Sequence, residues 1–149
     1  MIDVEVEDAA WTTALPDAVM LARGAALAAL ASHDAADEGV AIRLTGDAAV
    51  AELNVTFRGK DGPTNVLSFE AAPNPERHLG DIALAYGVCA REAAEQGKPL
   101  GRHLQHLTVH GVLHLLGYDH IGDDAAEAME DLERAVLAGL GVPDPYAAG

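Results

Sequence analysis

Apolar and polar residues alternate strictly at the start of the chain, Ile2-Asp3-Val4-Glu5-Val6-Glu7. A period of two puts one face of a strand in the core and the other in water. Residues 15–31 are rich in Ala and Leu, with Pro16 where a first helical turn tolerates it, and read as a helix. The run GVAIRL at 39–44 is a second short strand. From Asp47, whose carboxylate can cap a helix, Val50, Leu53 and Phe57 recur three and four apart, so a helix is expected to about Phe57. After the turn signal Asp61-Gly62-Pro63, residues 65–69 (NVLSF) form a third strand. The two prolines within 71–77 mark a loop, and 80–85 (GDIALA) is a fourth strand. Helical periodicity then covers 87–95, 100–116 and 124–140, punctuated by Gly97-Lys98-Pro99 and by Gly117. Strands gathered early and helices gathered late predict an α+β fold: a small four-stranded sheet packed with about five helices.

A length of 149 residues, half of them hydrophobic, suits a single domain over 1–149 with a real core. Nine Lys and Arg against 24 Asp and Glu give a net charge of −15. That excludes nucleic-acid binding through an overall positive field and demands a local basic site. Cys89 is the one cysteine, so no disulfide partner exists within the chain and a reducing compartment is expected. Among apolar neighbours on a helix it should be buried and inert. The first residues carry neither a basic nor an apolar leader segment. The apolar stretch 18–31 is broken by Arg23 and Gly24 and falls short of the roughly 20 residues that span a bilayer. A cytoplasmic protein with no membrane role is expected.

Five of the seven histidines fall within residues 103–120. His110 and His114, four apart, share one helical face about 6 Å apart along the axis, close enough to hold one ion. Gly117 can end the helix in a left-handed turn that swings His120 back toward them. The alternative trio His106, His110 and His114 spans about 12 Å along the axis, too far for one metal. The pattern His-x3-His-x2-Gly-x2-His therefore predicts a three-histidine zinc site with an open fourth position. His103 and His106 either support that site, touch substrate, or are simply polar members of the helix. A lone His-x3-His pair would ordinarily be two helix histidines; the glycine break and third histidine raise it above that. The spacing equals that of metzincin zinc proteases, but Gly111 stands where their catalytic glutamate would be, which disfavours peptide hydrolysis.

Residues 58–102 hold six basic side chains and six acids, so the whole net charge resides in the two ends of the chain. A polyanion would bind the middle, where Arg58 and Lys60 stand close together. The plainer reading of both is a pair of cations at a helix C-terminus. The segment 110–120, HGVLHLLGYDH, closely resembles the signature of the YbeY family of bacterial rRNA maturation factors. Residues 58–69, RGKDGPTNVLSF, look like that family's other hallmark. Gly80-Asp81-Ile82, residues 96–100 (QGKPL) and Asp144-Pro145-Tyr146 are similar too. The resemblance runs from about Ala51 to Tyr146. Its one lesser deviation is Phe57, where a tyrosine is common.

The resemblance implies a zincin-like α+β fold with a mixed sheet, and one zinc ion on His110, His114 and His120. It implies Arg58 as an important pocket residue, and cleavage of single-stranded RNA in 16S rRNA 3′-end maturation and ribosome quality control. Ribosomal RNA and ribosomal or small-subunit proteins would be the partners. A zinc-bound water would attack, and Arg58 would meet the charge developing on the phosphate with paired hydrogen bonds. His106, Tyr118 and Asp119 could orient ligands or protonate the leaving oxygen; Lys60, Ser68 and Thr64 could contact phosphate. Turn structure after Gly117 explains Tyr118 and Asp119 equally well. Two alternatives stand beside this: a non-enzymatic ribosome-assembly factor with structural zinc, and another zinc metallohydrolase.

Overall fold

The computed structural model describes residues 1–119 and 121–147. Its strands are β1 (Ile2–Val6), β2 (Gly39–Thr45), β3 (Val66–Glu70) and β4 (His78–Ala85), in the spatial order β1-β2-β4-β3. The first three in that order run parallel and β3 runs antiparallel to β4, so the sheet is mixed. The helices among the described residues are α1 (Ala10–Ala14), α2 (Ala18–Ala31), α3 (Asp47–Arg58), α4 (Tyr86–Gln96), α5 (Leu100–Leu115) and α6 (Asp123–Gly139). None is long and apolar enough to cross a membrane.

Register explains which side chains meet the helices. Val4 pairs with Ile42, Ile42 with Ile82, and Ile82 with Ser68, so the four form one row across the sheet. Residues paired in a ladder share a face. That face carries α2 and α5, whose buried Ala22, Ala26, Leu104, Leu107 and Val112 join Ile42 and Ile82 in the main core. On the opposite face Leu67, Ala83 and Ala85 pack with Val50 of α3 in a smaller cluster.

Two expectations are corrected. The helix read over 15–31 begins only at Ala18, and a short helix not expected from the sequence, α1, ends just before it, because Leu15 precedes a proline and is driven to an extended conformation (φ −131°, ψ 93°). The short α1 before it buries Trp11, whose indole N–H donates to the Thr45 carbonyl at 3.0 Å. Asp47 does not cap its own helix; Gly46 occupies that position. Its carboxylate instead accepts from the Val88 backbone N–H at 3.1 Å, capping α4 across space. Cys89 is buried, as expected, and burial pushes its thiol well up.

Helix α5 lies against β3 and β4 at Gly111. A methyl group there would meet Ser68 Oγ at 3.1 Å and Ile82 at 3.1 Å. The same closeness lets the Ser68 hydroxyl donate to the Gly111 carbonyl at 3.1 Å. Helices α4 and α5 are tied by Glu92, which accepts from His103 at 2.9 Å and from Asn65 Nδ2 at 3.0 Å. Burial lowers the pKa of His103 below its ordinary 6.5, Glu92 opposing.

Gly111→Ala should overpack this contact and cost about 1–3 kcal/mol, read as a lower melting temperature. An unchanged melt would mean α5 can ride away from the sheet freely. His103, held neutral, contributes stability present above pH 6.5 and lost as pH falls through its lowered folded value. Urea unfolding at pH 7 and pH 5.5 should therefore show a smaller loss for His103→Gln than for wild type. Equal losses would remove His103 as a source of the acid sensitivity.

Candidate active site

Helical spacing alone brings His110 and His114 to one face, and the structure sets their rings edge to face, 4.6 Å between centroids. Their Nε2 atoms stand 3.1 Å apart. Two nitrogens each about 2.0–2.1 Å from a single ion would subtend roughly 100° at that separation, near tetrahedral. The pair therefore fits a shared zinc-like ion. After His114 the helix closes with a glycine turn: Gly117 adopts φ 104°, its N–H bonds the His114 carbonyl, and the Tyr118 N–H reaches back to Leu113. The third expected ligand, His120, lies outside the described residues. Among the described residues no three metal-ligating side chains assemble into a group.

His110 and His114 open into a cleft of about 770 Å³ between α5, the edge strand β3 and the turn after α3. Arg58, Lys60, Thr64, Ser68 and Asp119 line it as well. Arg58 is the last residue of α3, and Gly59 behind it takes a left-handed conformation (φ 65°) that turns the chain. The Arg58 guanidinium donates to the Ser68 carbonyl and stacks over the Phe69 ring at 5.6 Å. A residue about fifty positions from the histidines is thus held at the mouth of their cleft by β3. Asn54, buried in α3, steadies the turn: its Nδ2 donates to Gly62 at 2.9 Å and its carbonyl accepts from Lys60 at 3.2 Å. Ser68 faces the cleft with its proton already committed to Gly111, so it meets a ligand as an acceptor.

Two expected participants turn elsewhere. The Tyr118 hydroxyl bonds His33 Nε2 at 2.7 Å and does not line the cleft. His33 in turn contacts Ser32 Oγ at 2.8 Å, so the end of α2 props the turn that follows α5. Asp119 lines the cleft, but one of its oxygens accepts from the Ile121 N–H at 3.0 Å in a local turn. His106 points behind α5, where its Nε2 meets the Glu133 carboxylate at 2.6 Å.

Glu133 has no exposed surface and also contacts His110 Nδ1 at 3.4 Å and the Tyr146 hydroxyl at 2.8 Å. Burial pushes its carboxyl up, and the hydrogen bonds from His106, His110 and Tyr146 outweigh that, holding it at about 2. Sequence reasoning missed this residue. Its signal was a glutamate on the apolar stripe of α6, in step with Met129, Val136 and Leu137.

A curated protein of Azorhizobium caulinodans named Endoribonuclease YbeY is 53% identical, the match covering 98% of this chain and 96% of that one. Proteins of the same name from Rhodopseudomonas palustris and Maricaulis maris are 51% and 49% identical, over 95% and 97% of this chain and 89% and 91% of theirs. The solution structure of TM1509 from Thermotoga maritima shares the fold, with a TM-score of 0.58 at 23% identity over 99% of this chain and 100% of that one. The family model described as Endoribonuclease YbeY matches residues 5–141, taking in the Arg58 turn, the edge strand and the histidine helix together, and the chain belongs to that family.

Proposed function

We propose that this chain's RNA-cleaving chemistry is carried by one zinc ion on His110, His114 and His120, with Arg58 acting on the scissile phosphate. The observation that carries the reading is the 3.1 Å separation of the two Nε2 atoms, in the same cleft as Arg58. Bound zinc would supply Lewis acidity and a water of lowered pKa. Arg58 offers a planar, permanently charged fork to the non-bridging oxygens, where negative charge accumulates during attack. Its tether to Ser68 and Phe69 limits the reorganisation needed when that charge appears. Lys60 adds a second cation for a neighbouring phosphate. The tight contact at Gly111 leaves no room for a carboxylate beside the histidines, which supports phosphodiester over peptide hydrolysis.

The substrate we propose is single-stranded ribosomal RNA, in 16S 3′-end maturation and ribosome quality control in the cytoplasm. Both follow from the family signature. Among the described residues that line the cleft, Arg58 and Lys60 are the only Arg or Lys, and Glu70 and Asp119 share that lining. Affinity for naked RNA is then low, and docking on ribosomal or small-subunit proteins would supply the specificity.

The slope of log affinity against log salt should be about −1 to −2, as expected for two phosphates of a single strand. A slope near −8 would place the binding surface elsewhere. Single-turnover cleavage of single-stranded RNA, run with zinc analysis, tests the roles. His114→Ala should lose both zinc and cleavage, whereas His78→Ala should keep both. Arg58→Ala should keep zinc and lose cleavage by about 10²-fold or more, and Arg58→Lys should recover only part. Near-normal cleavage by Arg58→Ala would reduce that residue to a cation at a helix end.

A further inference from the structure

We infer that Glu133, locked from behind by Tyr146, is a positioning residue for His110: it holds the ring in the Nδ1–H form and leaves Nε2 as the metal donor. The inference rests on the metal site proposed above.

A carboxylate only accepts hydrogen bonds, so each ring nitrogen facing Glu133 must carry the proton. His106 meets Oε1 through Nε2 at 2.6 Å, and its own Nδ1 is buried without a partner. His106 therefore spends its one N–H on Glu133. His110, one turn on, meets Oε2 through Nδ1 at 3.4 Å, which leaves the lone pair on Nε2, the atom 3.1 Å from His114 Nε2. One carboxylate thus selects opposite tautomers in two neighbouring histidines. A carboxylate behind a metal-bound imidazole fixes ring orientation and raises its basicity.

The C-terminal segment keeps Glu133 in place. The Tyr146 hydroxyl donates to the same Oε1 at 2.8 Å, and burial, followed by the contact with Glu133, pushes that hydroxyl up, keeping it protonated. The Arg134 guanidinium stacks on the Tyr146 ring at 5.1 Å and binds both oxygens of Asp144 at 3.1 Å. Lys98 donates to the Pro145 carbonyl at 2.6 Å. A mere staple between α5 and α6 would be complete with His106 alone. The second oxygen aimed at His110 is what that simpler role leaves unused.

The test measures zinc affinity by competition with a chromophoric chelator and the His110 tautomer by ring-nitrogen NMR of the zinc-free protein. The variants are Glu133→Gln, Tyr146→Phe, the exposed control Glu127→Gln, and His114→Ala. Glu133→Gln should weaken zinc binding by about 10- to 100-fold and mix the His110 tautomers. Tyr146→Phe should move both readouts the same way by less, and Glu127→Gln neither. A folded Glu133→Gln protein with wild-type affinity and an unmixed tautomer overturns the inference. If Glu133→Gln does not fold, Tyr146→Phe decides, and wild-type values of both readouts overturn it. Full zinc affinity in His114→Ala would sink the metal reading itself, separately from the role of Glu133.

Discussion

The contact of α5 with the sheet at Gly111 governs the site. Because that residue has no side chain, the helix backbone comes within hydrogen-bonding reach of Ser68 on the edge strand. The strand cannot drift from the helix without breaking this bond and opening a gap over Ile82. Ser68 then does two things with two atoms. Its hydroxyl fixes the strand to the helix, and its carbonyl receives Arg58. The position of the guanidinium relative to the histidine helix is therefore set through Ser68, by two hydrogen bonds that each end on a backbone carbonyl.

The charge distribution follows a related logic. A chain of net charge −15 repels a polyanion over most of its surface, and the cleft offers its cations, Arg58 and Lys60, at the turn after α3. That turn depends on a left-handed glycine and on the buried amide of Asn54. Few cations in a narrow place favour local engagement of one or two phosphates over general adhesion to RNA.

Behind α5 two carboxylate networks join the helices, one on the half-buried Glu92 and one on the fully buried Glu133. Glu92 joins α4, α5 and the residue that leads into β3 through His103 and Asn65, and Glu133 joins α5, α6 and the C-terminal segment through His106, His110 and Tyr146. Apolar packing would hold the helices together but would leave ring orientation free. Hydrogen bonds to a buried carboxylate are directional, and the penalty for breaking them is high. The histidine-rich face of α5 is accordingly held on both sides, by the sheet and by these carboxylates.

Much of this was legible in the chain itself. Alternation at residues 2–7 and the three-four spacing through Val50, Leu53 and Phe57 express contacts within a few residues, so strands and helices can be read from them. The spacing of His110 and His114 is likewise local geometry, as is the glycine turn at Gly117. Where local rules meet, they conflict: Pro16 fits a first helical turn, yet its steric effect on Leu15 ends one helix before another begins. The remainder depends on distance in space. Asp47 caps a helix other than its own, His33 supports Tyr118 from the turn after α2, and Glu133 reaches His110 across the α5–α6 interface. Periodicity marks only whether a residue faces inward. Which partner it meets there is decided by how the layers stack, and the free energy of that stacking is spread over the whole core.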